Sequence, residues 1–103
     1  MNDIEKLSHI LKALSDPTRL KIITLLKEDN RWLCVNAITN KLHVTQSAVS
    51  QHLRILRQAG LVKNERKGYH IHYALDSASF NELNDLQKSI LGIDSIKKEI
   101  TVT

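Results

Sequence analysis

At 103 residues the chain can form one domain with a single core, yet it is short enough that a second copy could supply much of its buried area. Three Gly, one Pro and an aromatic share of 4% describe a helix-rich chain whose core must be built from Leu, Ile and Val. The formal net charge of +4 suggests an acidic partner, and the single cysteine, Cys34, excludes an intrachain disulfide framework.

No stretch approaches the ~20 apolar residues that span a bilayer, and the opening MNDIEKLSHI lacks the cationic run and apolar core of an export signal. A soluble, cytoplasmic protein without membrane association is expected. Ile4, Leu7, Leu11 and Leu14 recur at helical spacing and predict an amphipathic helix over residues 3 to 14. In "SDPTRLKIITLLKED", Asp16 is the expected N-cap of a second helix, with Pro17 at the first helical position, where its missing N–H costs nothing. Leu20, Ile23 and Leu26 are expected to line its buried face, thickened by Ile22 and Leu25, and Asp29-Asn30 to stop it.

"RWLCV" reads as a minimal strand and "NAITNKL" as a short helix with Ile38 and Leu42 inward. After a brief "HV" connection, Thr45 caps a helix that begins at Gln46 and reaches Gly60, a natural C′ residue. Alternation in "LVKNERKGYHIHYAL" on both sides of a Lys67-Gly68 turn predicts a hairpin. Phe80, Leu83, Leu86 and Ile90 mark a last helix that Gly92 ends or bends, while Ile93, Ile96 and Ile100 carry an apolar pattern into a tail over residues 92 to 103. The fold class is therefore mainly α with a small β-hairpin, a winged helix-turn-helix in one domain: helix-turn-helix over residues 36 to 60, wing over 61 to 75.

Charge is unevenly spread along this plan. Residues 41 to 75 carry six Lys/Arg against one acidic residue, whereas residues 1 to 40 carry six against five and residues 76 to 103 three against five. At 100° per residue from Gln46, Val49, Leu53 and Leu56 cluster on one side, flanked by Ala48, His52 and Ala59. Ser47, Ser50, Gln51, Arg54 and Gln58 fall opposite, and residues 45 to 62 contain no carboxylate. Such a surface suits a major groove, where Gln, Ser and Arg meet base-edge donors and acceptors and the free N–H groups near Gln46 and Ser47 favour a phosphate. Polar outward faces are common on solvated helices, but those usually mix Glu with Lys. The hairpin tip Arg66-Lys67-Gly68-Tyr69 adds two cations on a tight turn, with His70 beside them, fit for a minor groove or for phosphates rather than only for edge protection. Thr45, Gln46, Ser47, Ser50, Gln51, Arg54, Arg66, Lys67, Tyr69 and His70 are the expected contacts to double-stranded DNA.

The segments "LKALSDPTRLKIITLL", "LCVNAITNKLHVTQSAVSQHLRILRQAGLV" and "KGYHIHYAL" together resemble the ArsR/SmtB family of winged-helix repressors across residues 7 to 75. The resemblance implies a cytoplasmic transcriptional regulator that binds an inverted-repeat operator as a homodimer and releases it on meeting an inducer. It also implies pairing through the first and last helices, here residues 1 to 14 and 77 to 91. Independently, an apolar last helix in so small a domain wants a partner, unless the stripe merely closes the monomer core. Ile4, Leu7, Leu11, Phe80, Leu83, Leu86 and Ile90 are the expected interface.

Sensing is where the chain departs from the family pattern. Cys34 matches the start of the Leu-Cys-Val-Cys motif of metal-sensing members, but Asn36 stands where the second thiolate would be, and no histidine follows His72 to serve a last-helix zinc site. One thiolate and an amide cannot make the multi-sulfur site that soft ions require. His70 and His72 share a strand face, too few for a zinc site by themselves, and read as wing residues facing phosphate or solvent. Cys34 reads as a small buried apolar residue, His52 as a half-buried packing or hydrogen-bonding residue, and Trp32 as packed at the core edge. No metal and no cofactor is expected, and the inducer is unknown. No catalytic spacing or phosphate-cradling glycine loop favours an enzyme, so the rival reading is a winged helix used for protein–protein or RNA contact.

Overall fold

The computed structural model describes residues 1–29 and 32–93. Asn30, Arg31 and residues 94–103, and with them part of the expected helix stop and strand and the tail residues Ile96 and Ile100, lie outside the described residues.

Among the described residues, five α-helices and a three-stranded antiparallel sheet follow in the order α1 (Asp3–Leu14), α2 (Pro17–Asp29), β1 (Leu33–Cys34), α3 (Val35–Leu42), α4 (Gln46–Gln58), β2 (Val62–Lys67), β3 (His70–Leu75) and α5 (Ser77–Leu86), with a π-helical turn at Gln87–Leu91. Local chemistry starts and stops these helices. Asn2 Oδ1 accepts from the Glu5 N–H at 2.8 Å, Asp16 Oδ2 from Arg19 N at 3.0 Å, Thr45 Oγ1 from Ala48 N at 3.2 Å and Asp76 Oδ1 from Ser79 N at 3.2 Å. α4 closes in a Schellman motif: Gly60, at φ +79°, donates to Arg57 O at 2.9 Å, and Leu61 donates to Leu56 O at 3.0 Å. That bend carries the chain directly from the helix into β2.

The core gathers Leu7, Ile10, Ala13, Ile22, Leu26, Leu33, Ile38, Val49, Leu53, Leu56, Leu61, Val62, Leu83 and Leu86. Each large aliphatic side chain there contributes about 1.5–3 kcal/mol by leaving water. Val49, Leu53 and Leu56 are fully buried, so the expected inward face of α4 is the face that packs.

Three expectations about burial are corrected. On α1, the buried positions are Leu7, Ile10 and Ala13, while Ile4 and Leu11 stay 68% and 41% exposed; the helix is rotated by part of a turn from the expected stripe. On α2, Ile22 and Leu26 are buried and Leu20 is exposed. Apolar residues surround that helix on several sides, so periodicity did not define one face, and the side bearing Arg19 turned inward. On α5, Leu83 and Leu86 are buried at 8% and 6% exposure within the chain's own core, as is Leu7 at 4%, so these three close the monomer core.

The sheet also differs from the expected hairpin. β3 lies between the other two strands, pairing with β2 from Val62↔Leu75 to Lys67↔His70 and with β1 at Leu33↔Tyr73 and Cys34↔His72. The turn is therefore Gly68-Tyr69, one residue beyond the expected Lys67-Gly68. Gly68, at φ +65°, takes the first central position, where a two-residue hairpin loop of the II′ kind needs positive φ.

Candidate nucleic-acid interface

α3 and α4 are joined by a tight turn at His43-Val44-Thr45. His43 adopts the left-handed conformation at φ 55° and its N–H donates to Thr39 O at 2.9 Å, ending α3 in the αL manner usually left to glycine. Thr45 then starts α4, so its hydroxyl is engaged as an N-cap acceptor while the residue remains exposed. Gln46, Ser47, Ser50, Gln51, Arg54 and Gln58 are all exposed. Ser47, Ser50, Gln51 and Arg54 form one outward ridge opposite the buried Val49, Leu53 and Leu56, bearing hydroxyls, an amide and a guanidinium and no carboxylate.

The wing brings a second exposed surface close to the start of this helix. Arg66, Lys67, Tyr69 and His70 are exposed, Tyr69 at 98%. Gln46 and Asn36 share a cleft of about 200 Å³ with Tyr69, His70, Ile71 and Cys34, so the hairpin tip and the first turn of α4 sit side by side. All ten residues expected to meet DNA are thus exposed on these two neighbouring elements.

Other expectations about site residues divide. His72 is half-buried, not an outward wing residue; its Cα faces those of Cys34 and Glu65 across the sheet, and its Nδ1 is shielded without a hydrogen-bond partner among the described residues. Cys34 is half-buried rather than enclosed. Among the described residues no group of three or more His, Cys, Asp and Glu side chains is arranged to hold a metal ion.

Two arrangements escaped the sequence reading. Trp32 lies beneath two wing cations, with Lys63 Nζ 5.5 Å and Lys67 Nζ 6.0 Å from its ring centroid, because β1 joins the sheet edge beside β3. Nothing local to either segment signals that pairing. The second is a polar bridge behind α4. Arg19 donates from Nε to Ala13 O at 2.6 Å and lies 3.2 Å through Nη1 from His52 Nδ1, which is 3.8 Å from Asp16 Oδ2. The Arg19 N–H holds the Asp16 carboxyl below the usual carboxylate range, aided by the nearby Arg19 charge and opposed by burial. Asp16 and Arg19 were legible as a cap and a cation; their junction with His52, 33 positions on, was not.

Ile4, Leu7, Ser8, Leu11, Lys12, Ser15 and Ile90 line a mainly apolar groove of about 390 Å³. Of the residues expected at a dimer interface, Ile4 and Leu11 are exposed, Phe80 and Ile90 half-buried.

Comparison with known proteins gives this arrangement a family. Residues 16–64 match the model of the bacterial regulatory proteins of the arsR family. The uncharacterized HTH-type transcriptional regulator YbzH of Bacillus subtilis is 40% identical over 78% of this chain and 93% of its own length. The HTH-type transcriptional repressor SmtB of Mycobacterium tuberculosis is 42% identical over 70% of this chain, which spans about half (52%) of that relative. An ArsR-like transcriptional regulator from Rhodococcus sp. RHA1 superposes with a TM-score of 0.77 at 25% identity, over 96% of this chain and 91% of the other. The match takes in the capped second helix, the helix-turn-helix with its carboxylate-free ridge and the start of the first strand of the wing, and the chain belongs to the ArsR/SmtB family of DNA-binding, winged-helix transcriptional regulators.

Proposed function

We propose that the protein is a cytoplasmic repressor that acts as a homodimer on an inverted-repeat operator, and that it is not an enzyme. The observation that carries this reading is the exposed ridge Ser47, Ser50, Gln51 and Arg54, free of carboxylates, on the helix whose first residue, Gln46, shares a cleft with Tyr69 and His70 of the wing. Carboxylates there would be repelled by phosphate, and Gln and Arg make bidentate contacts to adenine and guanine edges in the major groove. Arg66 and Lys67 supply phosphate or minor-groove contacts beside it, with Tyr69 and His70 at the tip, while Thr45, Gln46 and Ser47 bring the helix N-terminus to the backbone. SmtB, a relative named as a repressor, supports the direction of regulation.

Pairing draws on the groove between α1 and the π-helical turn, where exposed Ile4 and Leu11 adjoin Ile90. A two-fold axis there presents two copies of α4 to major grooves about 34 Å apart, one turn of B-DNA. With one cysteine in the chain and Asn36 in place of a second thiolate, release is assigned to a non-metal signal.

The test is binding to duplexes that the purified protein retains from genomic fragments, followed across salt concentration. Log affinity is expected to fall linearly with log salt, by about 0.9 for each phosphate contact. Gln51→Ala and Arg54→Ala each lower affinity by roughly 1–3 kcal/mol and relax base preference at one position, and zinc or cadmium leaves binding unchanged. Parental affinity in both variants would remove α4 as the reading element.

A further inference from the structure

We infer that Asp16, Arg19 and His52 form a positioning bridge that sets the recognition helix α4 against the end of α1, so that DNA affinity depends on three side chains that do not touch DNA. The inference rests on the reading of α4 and α1 as the DNA-reading and pairing helices.

The geometry centres on one guanidinium. Arg19 Nε donates to Ala13 O at 2.6 Å, a carbonyl of the last turn of α1, and Nη2 lies 3.4 Å from Lys12 O, which also accepts from the Ser15 N–H and hydroxyl. A cation there also meets the negative end of the α1 dipole. The third branch, Nη1, is 3.2 Å from His52 Nδ1. A guanidinium only donates, so Nδ1 accepts and the neutral ring carries its proton on Nε2. The Asp16 carboxylate accepts from the Arg19 N–H and so fixes the backbone from which the guanidinium reaches Nδ1; at 3.8 Å from that ring nitrogen it makes no hydrogen bond with it.

His52 lies midway along α4, at the border between the buried Val49, Leu53 and Leu56 and the exposed Gln51 and Arg54. Because apolar contacts are non-directional, burial of Val49, Leu53 and Leu56 sets which face of α4 turns inward without fixing its rotation to the accuracy that base contacts need. A directional bond at the border of the face supplies what packing lacks. Rotating α4 away from it moves Gln51 and Arg54 relative to base edges and, through Arg19, loosens the contact with Ala13 O at the end of α1. Bidentate base contacts tolerate little such displacement.

The experiment uses the full chain, a duplex selected by the parental protein from a random pool, fluorescence anisotropy across salt, sedimentation and circular dichroism. Arg19→Gln and His52→Ala are each expected to weaken binding roughly tenfold and the double variant no more than either alone, since members of one network are non-additive. The log–log salt slope and the assembly state remain those of the parent. His52→Gln, whose amide oxygen can accept from Arg19, is expected to bind within about twofold of the parent. Should Arg19→Gln melt below the assay temperature, the His52→Ala and His52→Gln comparison decides alone. Undiminished binding by His52→Ala, additive losses, or a slope flattened by about 0.9 in Arg19→Gln, the mark of a direct phosphate contact, overturns the inference. Loss of binding in Gln51→Ala and Arg54→Ala alongside unaffected His52→Ala sinks only the bridge; unaffected binding in all of them sinks the reading of α4.

Discussion

Two residues at the ends of helices show how narrowly this fold is specified. His43 holds φ 55° with a side chain that meets solvent, a conformation that costs an L-residue roughly 1–2 kcal/mol and glycine little. Glycine also gains unfolded-state freedom worth about 0.5–1 kcal/mol, so His43→Gly is expected to be neutral to stabilising by up to ~1 kcal/mol, and β-branched His43→Val destabilising by more than ~1 kcal/mol, in urea titrations. The reverse order of midpoints would show that the αL turn is not strained. Asp16 makes a pH-dependent counterpart. Its folded pKa is depressed, first by the Arg19 N–H, so its contribution is complete above the ordinary carboxylate pKa and is lost as pH falls through the lower folded value. Asp16→Asn retains an N-cap acceptor that does not titrate. The stability advantage of the parent over Asp16→Asn should therefore shrink as pH drops below the usual carboxylate range; a difference independent of pH would detach the carboxylate charge from the cap.

At the scale of elements, legibility in the sequence followed the range of the forces involved. Caps and helix stops act over three or four residues, which is why Asp16, Thr45 and Gly60 announced α2 and both ends of α4. The inward face of α4 was legible because its outward positions are uniformly polar, and the exposed ridge followed from the same contrast. α2 offered no such contrast, and its orientation came from partners distant in the chain. β1 is the minimal strand that "RWLCV" suggested, but its pairing with the edge of β3 is a fact that Leu33 and Cys34 do not encode. Its placement yields the contact of Trp32 with Lys63 and Lys67. If Lys67 leaves the indole for a phosphate, the emission of this lone tryptophan should change when a retained duplex saturates the protein, and Lys67→Ala should lose much of that change together with about 0.9 of the salt slope. An unaltered emission at saturation would keep Lys67 on the ring and take it out of the DNA contacts.

For the whole molecule the question is which apolar surface the monomer leaves open. The sequence grouped Leu7, Leu11, Leu83 and Leu86 as one interface, yet periodicity cannot tell a stripe that closes a core from one that meets a partner. Burial separates them: Leu83 is 8% exposed and Leu11 41%. Arginine at the two sites should accordingly fail in different ways. Leu83→Arg places an unpaired charge in the core and is expected to cost several kcal/mol, a large part of the ~5–15 kcal/mol that holds a small domain together, so its melting transition falls steeply or vanishes. Leu11→Arg opens onto solvent in the groove beside Ile4 and Ile90, so its circular dichroism and melt should stay close to the parent while sedimentation shows a monomer. A folded monomer can engage only one half-site, so operator affinity collapses although Gln51, Arg54 and the wing are untouched. A Leu11→Arg protein that sediments as a dimer would move the pairing surface away from α1, and with it the route by which two copies of α4 are set one helical turn apart.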